Sequence, residues 1–204
     1  MPVQPSDGLA VLAAHIDESA VRLSAGFRVY GLAAVLTSTS EHARIVSALH
    51  ELRLPGRTFL HHYDETPERR CQIAEAVANL ALDGAVILTE ATTDQHQERA
   101  RAHLLTQMLP RLQYVEQVSN VVIESRAGSD KHDRRVRDRL RRSRHITADL
   151  RVNHARKQTD PLLWIPDFVV GAWFSARYHQ EAAPWATLSA SHYIEVTGAQ
   201  DGLR

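Results

Sequence analysis

Three acidic residues stand where apolar stretches end or are interrupted: Asp17 after "AAHI", Glu124 after "NVVI", and Asp167 inside "DPLLWIPDFVVGAWF". Carboxylates gathered in one place repel strongly unless a cation lies among them. Mg2+ and Mn2+ favour such hard oxygen ligands. Two such ions about 4 Å apart can clamp both the attacking and the leaving oxygen of a phosphodiester. Acids at strand ends also cap turns, so the chemistry depends on elements that bring all three together.

Asp167 carries the sharpest question. Its neighbours Trp164, Ile165, Phe168, Val169 and Val170 are apolar, and an unpaired buried carboxylate costs several kcal/mol or takes up a proton. The stretch reads as a helix with Asp160 as N-cap and Pro161 at the first position. Leu163, Asp167, Val170, Gly171 and Phe174 share one face. Pro166 within that helix is expected to kink it and free a carbonyl.

The elements that must position these acids follow from periodicity. Strands are expected at 9–17, 27–36, 57–63, 84–90, 119–125, 145–154 and 191–196. Helices are expected over "TSTSEHARIVSALHELRL", "TPERRCQIAEAVANLAL", "TDQHQERARAHLLTQMLPRLQ", residues 130–144, and the run around Asp167. Continuous apolar runs such as "AVIL" and "NVVI" suit central strands covered on both faces. Two strands followed by alternating helices and strands imply a mixed α/β sheet flanked by helices, in a single domain over 9–197. Residues 1–8 are expected to form a flexible N-terminus and 198–204 a C-terminal tail.

"HIDES", "VVIESR" and "DPLLWIPDFVVGA", in that order, together resemble the RNase H-like family known as domain of unknown function 3800. The resemblance spans about Ala13 to Trp173. It implies an RNase H-like fold and metal-dependent nuclease chemistry. Asp17, Glu124 and Asp167 then become the catalytic metal ligands for Mg2+ or Mn2+, with Glu124 where the family usually has Asp. Arg126, two residues beyond, would steady substrate phosphate or developing charge. Gly171-Ala172 would let the closing helix approach the sheet. The chain departs from the family pattern at Ala20 (usually Gly), at Pro166 (usually Ala), and at "RTFLHHYDE", where a Glu-x-Lys element is common. Glu90 is an alternative further acid.

His61-His62 offers no zinc motif, since adjacent strand residues face opposite ways. His61 alone could contact phosphate or shuttle a proton. Glu18 should face away from Asp17. Residues 131–145 hold eight Lys or Arg against two Asp. That segment is either a solvated helix or a track for a phosphate backbone, with Arg134, Arg137 and Arg141 as substrate contacts. It lacks interleaved aromatics for base stacking. Glu98 with Arg101, and Arg99 with His103, have the spacing of surface ion pairs.

Net charge is zero, and the single Cys71 excludes an internal disulfide. With no signal sequence or membrane-spanning run, a cytoplasmic location and no membrane partner are expected. The expected function is divalent-metal-dependent hydrolysis of nucleic-acid phosphodiesters, RNA or DNA. The alternative is a non-catalytic RNase H-like domain that binds nucleic acid or a protein partner. No pattern decides whether copies of the chain form a homo-oligomer.

Overall fold

A computed structural model describes residues 11–126 and 128–198. The expected flexible segment 1–8 lies outside these residues, as does the tail beyond Gly198. Among the described residues the strands are β1 (Leu12–Ser24), β2 (Phe27–Ser38), β3 (Gly84–Thr93), β4 (Asn120–Glu124), β5 (Arg151–Ala155) and β6 (Ile194–Gly198). The helices are α1 (His42–Leu52), α2 (Pro67–Ala78), α3 (Gln97–Tyr114), α4 (Asp130–Arg142), α5 (Trp164–Tyr178) and α6 (Ala183–Ser191). The strands form one mixed sheet in the order β5-β4-β1-β2-β3-β6.

β1 and β2 make a long antiparallel hairpin that pairs Asp17 with Ala33. Its turn uses Gly26 at φ +83, a conformation in which a Cβ is unfavourable. β4 runs parallel to β1, and that pairing stops at Ile16–Ile123. Asp17 therefore lies mid-strand, not at a strand end, but at the point where β1 outruns its neighbour.

Strand alternation assigns the two faces. Ala14 and Ile16 of β1, with Val121 and Ile123 of β4, join Leu104, Met108, Val136 and Leu140 in the core under α3 and α4. On the other face Ala33, Val35 and Ile87 meet Ile45, Ile73, Trp164 and Phe168 from α1, α2 and α5. Asp17 and Glu124, out of phase with the first set, face α5. Every residue from Leu162 to Ser175 is buried, so α5 is enclosed on all sides, as its nearly unbroken apolar sequence requires.

Several expected elements differ. Residues 57–63 form no strand. They pass through bends at Thr58 and Phe59 into a 3₁₀ turn at His62–Asp64, whose amide hydrogens bond locally, Asp64 N–H to His61 O and Glu65 N–H to His62 O. β5 begins only at Arg151, because 143–150 is taken up by turns after α4. The last strand starts at Ile194 behind a helix, α6, that the sequence pattern did not suggest. Pro166 does not kink α5. It sits in the first turn, where amides have no intrahelical acceptor to lose.

Candidate functional site

β1, β4 and the first turn of α5 bring Asp17, Glu124 and Asp167 together. What lies between them is the ammonium of Lys157, from the loop after β5. Its Nζ is 2.7 Å from Asp17 Oδ2, 2.8 Å from Asp167 Oδ1 and 3.5 Å from Glu124 Oε1. Asp17, Asp167 and Lys157 are each 5% exposed or less. The lysine loop is tied to α5 by the Trp164 indole N–H, which donates to Lys157 O at 2.8 Å. Asp160 continues the tie: its side chain accepts from Leu162 N–H and lies 3.6 Å from His15 Nε2.

Backbone amides fix two of the carboxylates. Glu18 N–H donates to Asp17 Oδ1 at 2.7 Å. His62 N–H donates to Asp167 Oδ2 at 2.7 Å. Asp167 also gains from its place at the amino end of α5, where the helix dipole favours negative charge. This explains a carboxylate in an apolar run: Asp167 is inward, hydrogen-bonded and paired with a cation.

The charges hold one another in unusual states. Burial, a hydrogen bond shared with Glu124 and the nearby Asp167 charge push the Asp17 carboxyl well up, against the pull of Lys157. Burial works to neutralise Lys157, but Asp167, Asp17 and Glu124 outweigh it and drive its pKa upward. The lysine stays an ammonium while Asp17 is disposed to keep a proton between itself and Glu124.

Glu124, Asp167 and Lys157 of the cluster line an open cleft of about 450 Å³, and Asp17 is buried behind them. Phe59, His61 and Tyr63 make one wall, and Ser19, Ala20 and Asp64 help to line the rest. His61 Nε2 lies 3.6 Å from Asp167 Oδ1. His62 turns the other way, fully buried against Gly171 and Phe168. The close approach expected of Gly171 is thus to the His62 ring: a Cβ there would fall 2.4 Å from His62 Cγ. Burial lowers the His62 pKa to about 4, so the imidazole is neutral.

The other expected site residues are placed elsewhere. Arg126 is clamped by Glu98, at 2.7 Å and 3.2 Å, with its Nε 3.3 Å from Glu18. Arg137 donates to Val152 O and Asp138, and Arg141 to Leu150 O, so both are turned to β5 and its approach. Arg134 is exposed on α4, which packs on the sheet face opposite α5. Glu90 binds His103 at 2.7 Å. Arg101 is not a surface partner of Glu98. It is buried, forked onto Asp133 at 2.8 Å and 3.0 Å, and in contact with Glu18.

Sequence reasoning missed Lys157. One signal was present: the chain has only two lysines among its 24 basic residues. A compact ammonium fits where carboxylate oxygens converge on a point, whereas the planar guanidinium fork does not.

Mg2+ or Mn2+ suits this donor chemistry, because all three groups are carboxylates and a positive charge already occupies their common point. It does not suit the site with Lys157 in place. Among the described residues no group of three or more His, Cys, Asp or Glu is arranged to hold a metal ion. A divalent ion could be held by Asp17, Glu124 and Asp167 only if the lysine side chain swung out.

The fold is similar to that of ribonuclease H2 from Pyrococcus horikoshii OT3, with a TM-score of 0.51 and 13% identity over 90% of this chain and 81% of that one. RNase HII of Archaeoglobus fulgidus, solved in a complex with PCNA, gives a TM-score of 0.48 and 13% identity over 83% of this chain and 76% of that one. A mutant of Bst-RNase HIII gives 0.44 and 14%, over 88% and 53%. At such identities the likeness concerns the fold alone: the chain is a single RNase H-like α/β domain. No family model and no curated protein matches it, so the resemblance to domain of unknown function 3800 rests on the three motifs.

Proposed function

We propose that this protein hydrolyses phosphodiesters of nucleic acid in the cleft above Asp17, Glu124 and Asp167, with Mg2+ or Mn2+ as cofactor. One observation carries the reading. Three carboxylates from three separate elements, on an RNase H-like sheet, aim at a single cation position on the floor of an open cleft. Buried like charges are expensive to assemble, and a purely structural ion pair needs one carboxylate, not three.

Asp17, Glu124 and Asp167 would hold the metal. When bound, it supplies positive charge against the charge that develops on the phosphate. The amides of Glu18 and His62 keep Asp17 and Asp167 in place, so these two carboxylates need not reorganise as charge moves. Lys157, displaced toward the cleft, would bring its ammonium to a substrate phosphate. His61, beside Asp167, is the group placed to give a proton to the leaving oxygen or take one from the attacking water.

The filled cation position favours one other reading, a non-catalytic domain in which Lys157 neutralises the acids permanently. Incubating the purified chain with single-stranded, duplex and hybrid oligonucleotides in Mn2+ or Mg2+ separates the two. The nuclease reading expects cleavage that Asp17→Asn abolishes, together with a metal-induced rise in melting temperature that the same substitution removes. A wild-type chain that neither cleaves nor responds to metal would leave only the non-catalytic reading.

A further inference from the structure

The loop between α1 and α2 alternates in a way its lack of sheet partners does not require. Leu60 and His62 are buried. Phe59, His61 and Tyr63 turn the other way, into the cleft. The three rings neighbour one another in a strip without sharing a plane: Phe59 to His61 is 6.4 Å between centroids, edge to face at 79°, and His61 to Tyr63 is 6.1 Å, tilted at 56°. The strip is held at both ends. Phe59 packs against the core under α5, and the Tyr63 hydroxyl hydrogen-bonds Ser19 Oγ on β1 at 3.0 Å. In the middle, His61 sits between Asp64, 3.5 Å from Nδ1, and Asp167, 3.6 Å from Nε2. Tyr63 is nevertheless 45% exposed. Such a ring, fixed yet open to solvent, gains little for the fold from its exposed face.

We propose that this strip is a stacking platform for unpaired nucleobases, which makes single-stranded nucleic acid the ligand class of the cleft. The inference rests on the nuclease reading for its substrate but not for its test. A base has a π-face to lay on Tyr63 or His61 only when it has left its own stack. In a duplex or hybrid the bases cover each other and offer the protein edges, sugars and phosphates. The platform borders the carboxylate cluster directly, since His61 touches both. A base stacked there brings its flanking phosphate above Lys157 and Asp167. The basic helix α4, with no Phe, Tyr or Trp and on the far face of the sheet, offers no such surface beside the acids.

Binding is measured by fluorescence anisotropy on the full chain, in Mg2+, with phosphorothioate-linked 12-mers so that hydrolysis does not enter. The probes are DNA and RNA single strands, the blunt hybrid, and a single strand in which abasic sites replace the bases. The platform predicts that single strands bind more tightly than the hybrid. Tyr63→Ala should weaken single-strand binding by roughly 5- to 150-fold, the range of one lost base–ring stack. Tyr63→Phe, which keeps the ring and loses the Ser19 bond, should stay close to wild type, as checked on samples with unchanged circular dichroism. The abasic strand should bind weakly and be insensitive to Tyr63→Ala. The proposal is overturned if Tyr63→Ala binds the single strand as wild type does, if the abasic strand binds as tightly as the normal one, or if the hybrid binds best. Ring-dependent binding of these probes, together with no cleavage of unmodified oligonucleotides in Mg2+ or Mn2+, would refute the nuclease reading and leave the platform standing.

Discussion

Lys157→Met tests the charge balance of the site most directly. The methionine keeps the aliphatic stem and removes the ammonium that lies 2.7 Å, 2.8 Å and 3.5 Å from Asp17, Asp167 and Glu124. Removing one partner of a buried ion cluster costs about 3–5 kcal/mol, because the remaining charges have lost their compensation. Asp17 already tends to hold a proton, which softens the loss and places the expectation near the lower end, about 3 kcal/mol. For a domain of this size that is roughly 10 °C in melting temperature. The same variant opens the cation position. Mn2+ at about 100 times its dissociation constant would restore about 2.7 kcal/mol by mass action, so the variant should recover most of its lost stability, while the wild type, which must first move its lysine, should respond less. The assay is a thermal melt with and without Mn2+, beside a matched EDTA control. Equal stability of variant and wild type would refute the claim that Lys157 compensates the acids. A destabilised variant that Mn2+ leaves unchanged would refute the claim that they form a divalent-cation site.

Three further outcomes are expected. Gly171→Ala places a methyl 2.4 Å from His62 Cγ; overpacking of about 1–3 kcal/mol outweighs the gain in helix propensity of about 1 kcal/mol, so urea melts should show net destabilisation, and a more stable variant would contradict the packing. His62, held near 4 by burial, is neutral when folded and easier to protonate when unfolded; its contribution to stability should be complete above about pH 6.5 and fall by about 3 kcal/mol between there and pH 4, a slope that His62→Phe should remove from the pH dependence of urea unfolding. Arg101→Met strips the buried Asp133 of its forked partner and should cost about 3–5 kcal/mol, while the double variant Arg101→Met with Asp133→Leu costs less than the two single changes added together, as a double-mutant cycle by denaturant titration will read.

Much of the sheet was legible because burial writes itself into strand composition. "AVIL" and "NVVI" could be read as central strands without knowing their neighbours, and the phase of each strand then fixed which face its acid meets. Asp17 and Glu124 fall on the α5 side because Ile16 and Ile123 belong to the opposite core. What was not legible depends on contacts distant in sequence. Residues 57–63 alternate like a strand, with Leu60 and His62 inward, yet find no ladder partner; alternation reports which side is buried and not whether a neighbouring strand exists. Lys157 was missed for a similar reason. Its neighbours "NHARKQTD" are polar and look like an exposed loop, and only the Trp164 tie, seven residues on, turns the segment inward. The aromatic strip was hidden because base stacking was sought only in the basic segment 131–145, whereas the rings lie in 57–63, which reads as a strand.

The dipeptide Asp17-Glu18 shows how one strand serves both chemistry and architecture. Strand geometry sends adjacent side chains to opposite faces, so only one acid of the pair points at the cation position. The other, Glu18, meets Arg101 and Arg126. Through them it is joined to Asp133 of α4, His154 of β5 and Glu98 of α3. This network fixes β1 against the α3–α4 layer at the residue next to Asp17, and Glu18 N–H holds the Asp17 carboxylate itself. A shift of β1 by one residue would flip both acids to the other face, turning Asp17 away from Lys157 and Glu18 away from Arg101. The buried Arg101 opposes that slip, since it would lose its Glu18 partner. The ion network on one face therefore sets the register that positions the carboxylate on the other, and the position of Asp17 is determined as much by Arg101 as by the residues it faces.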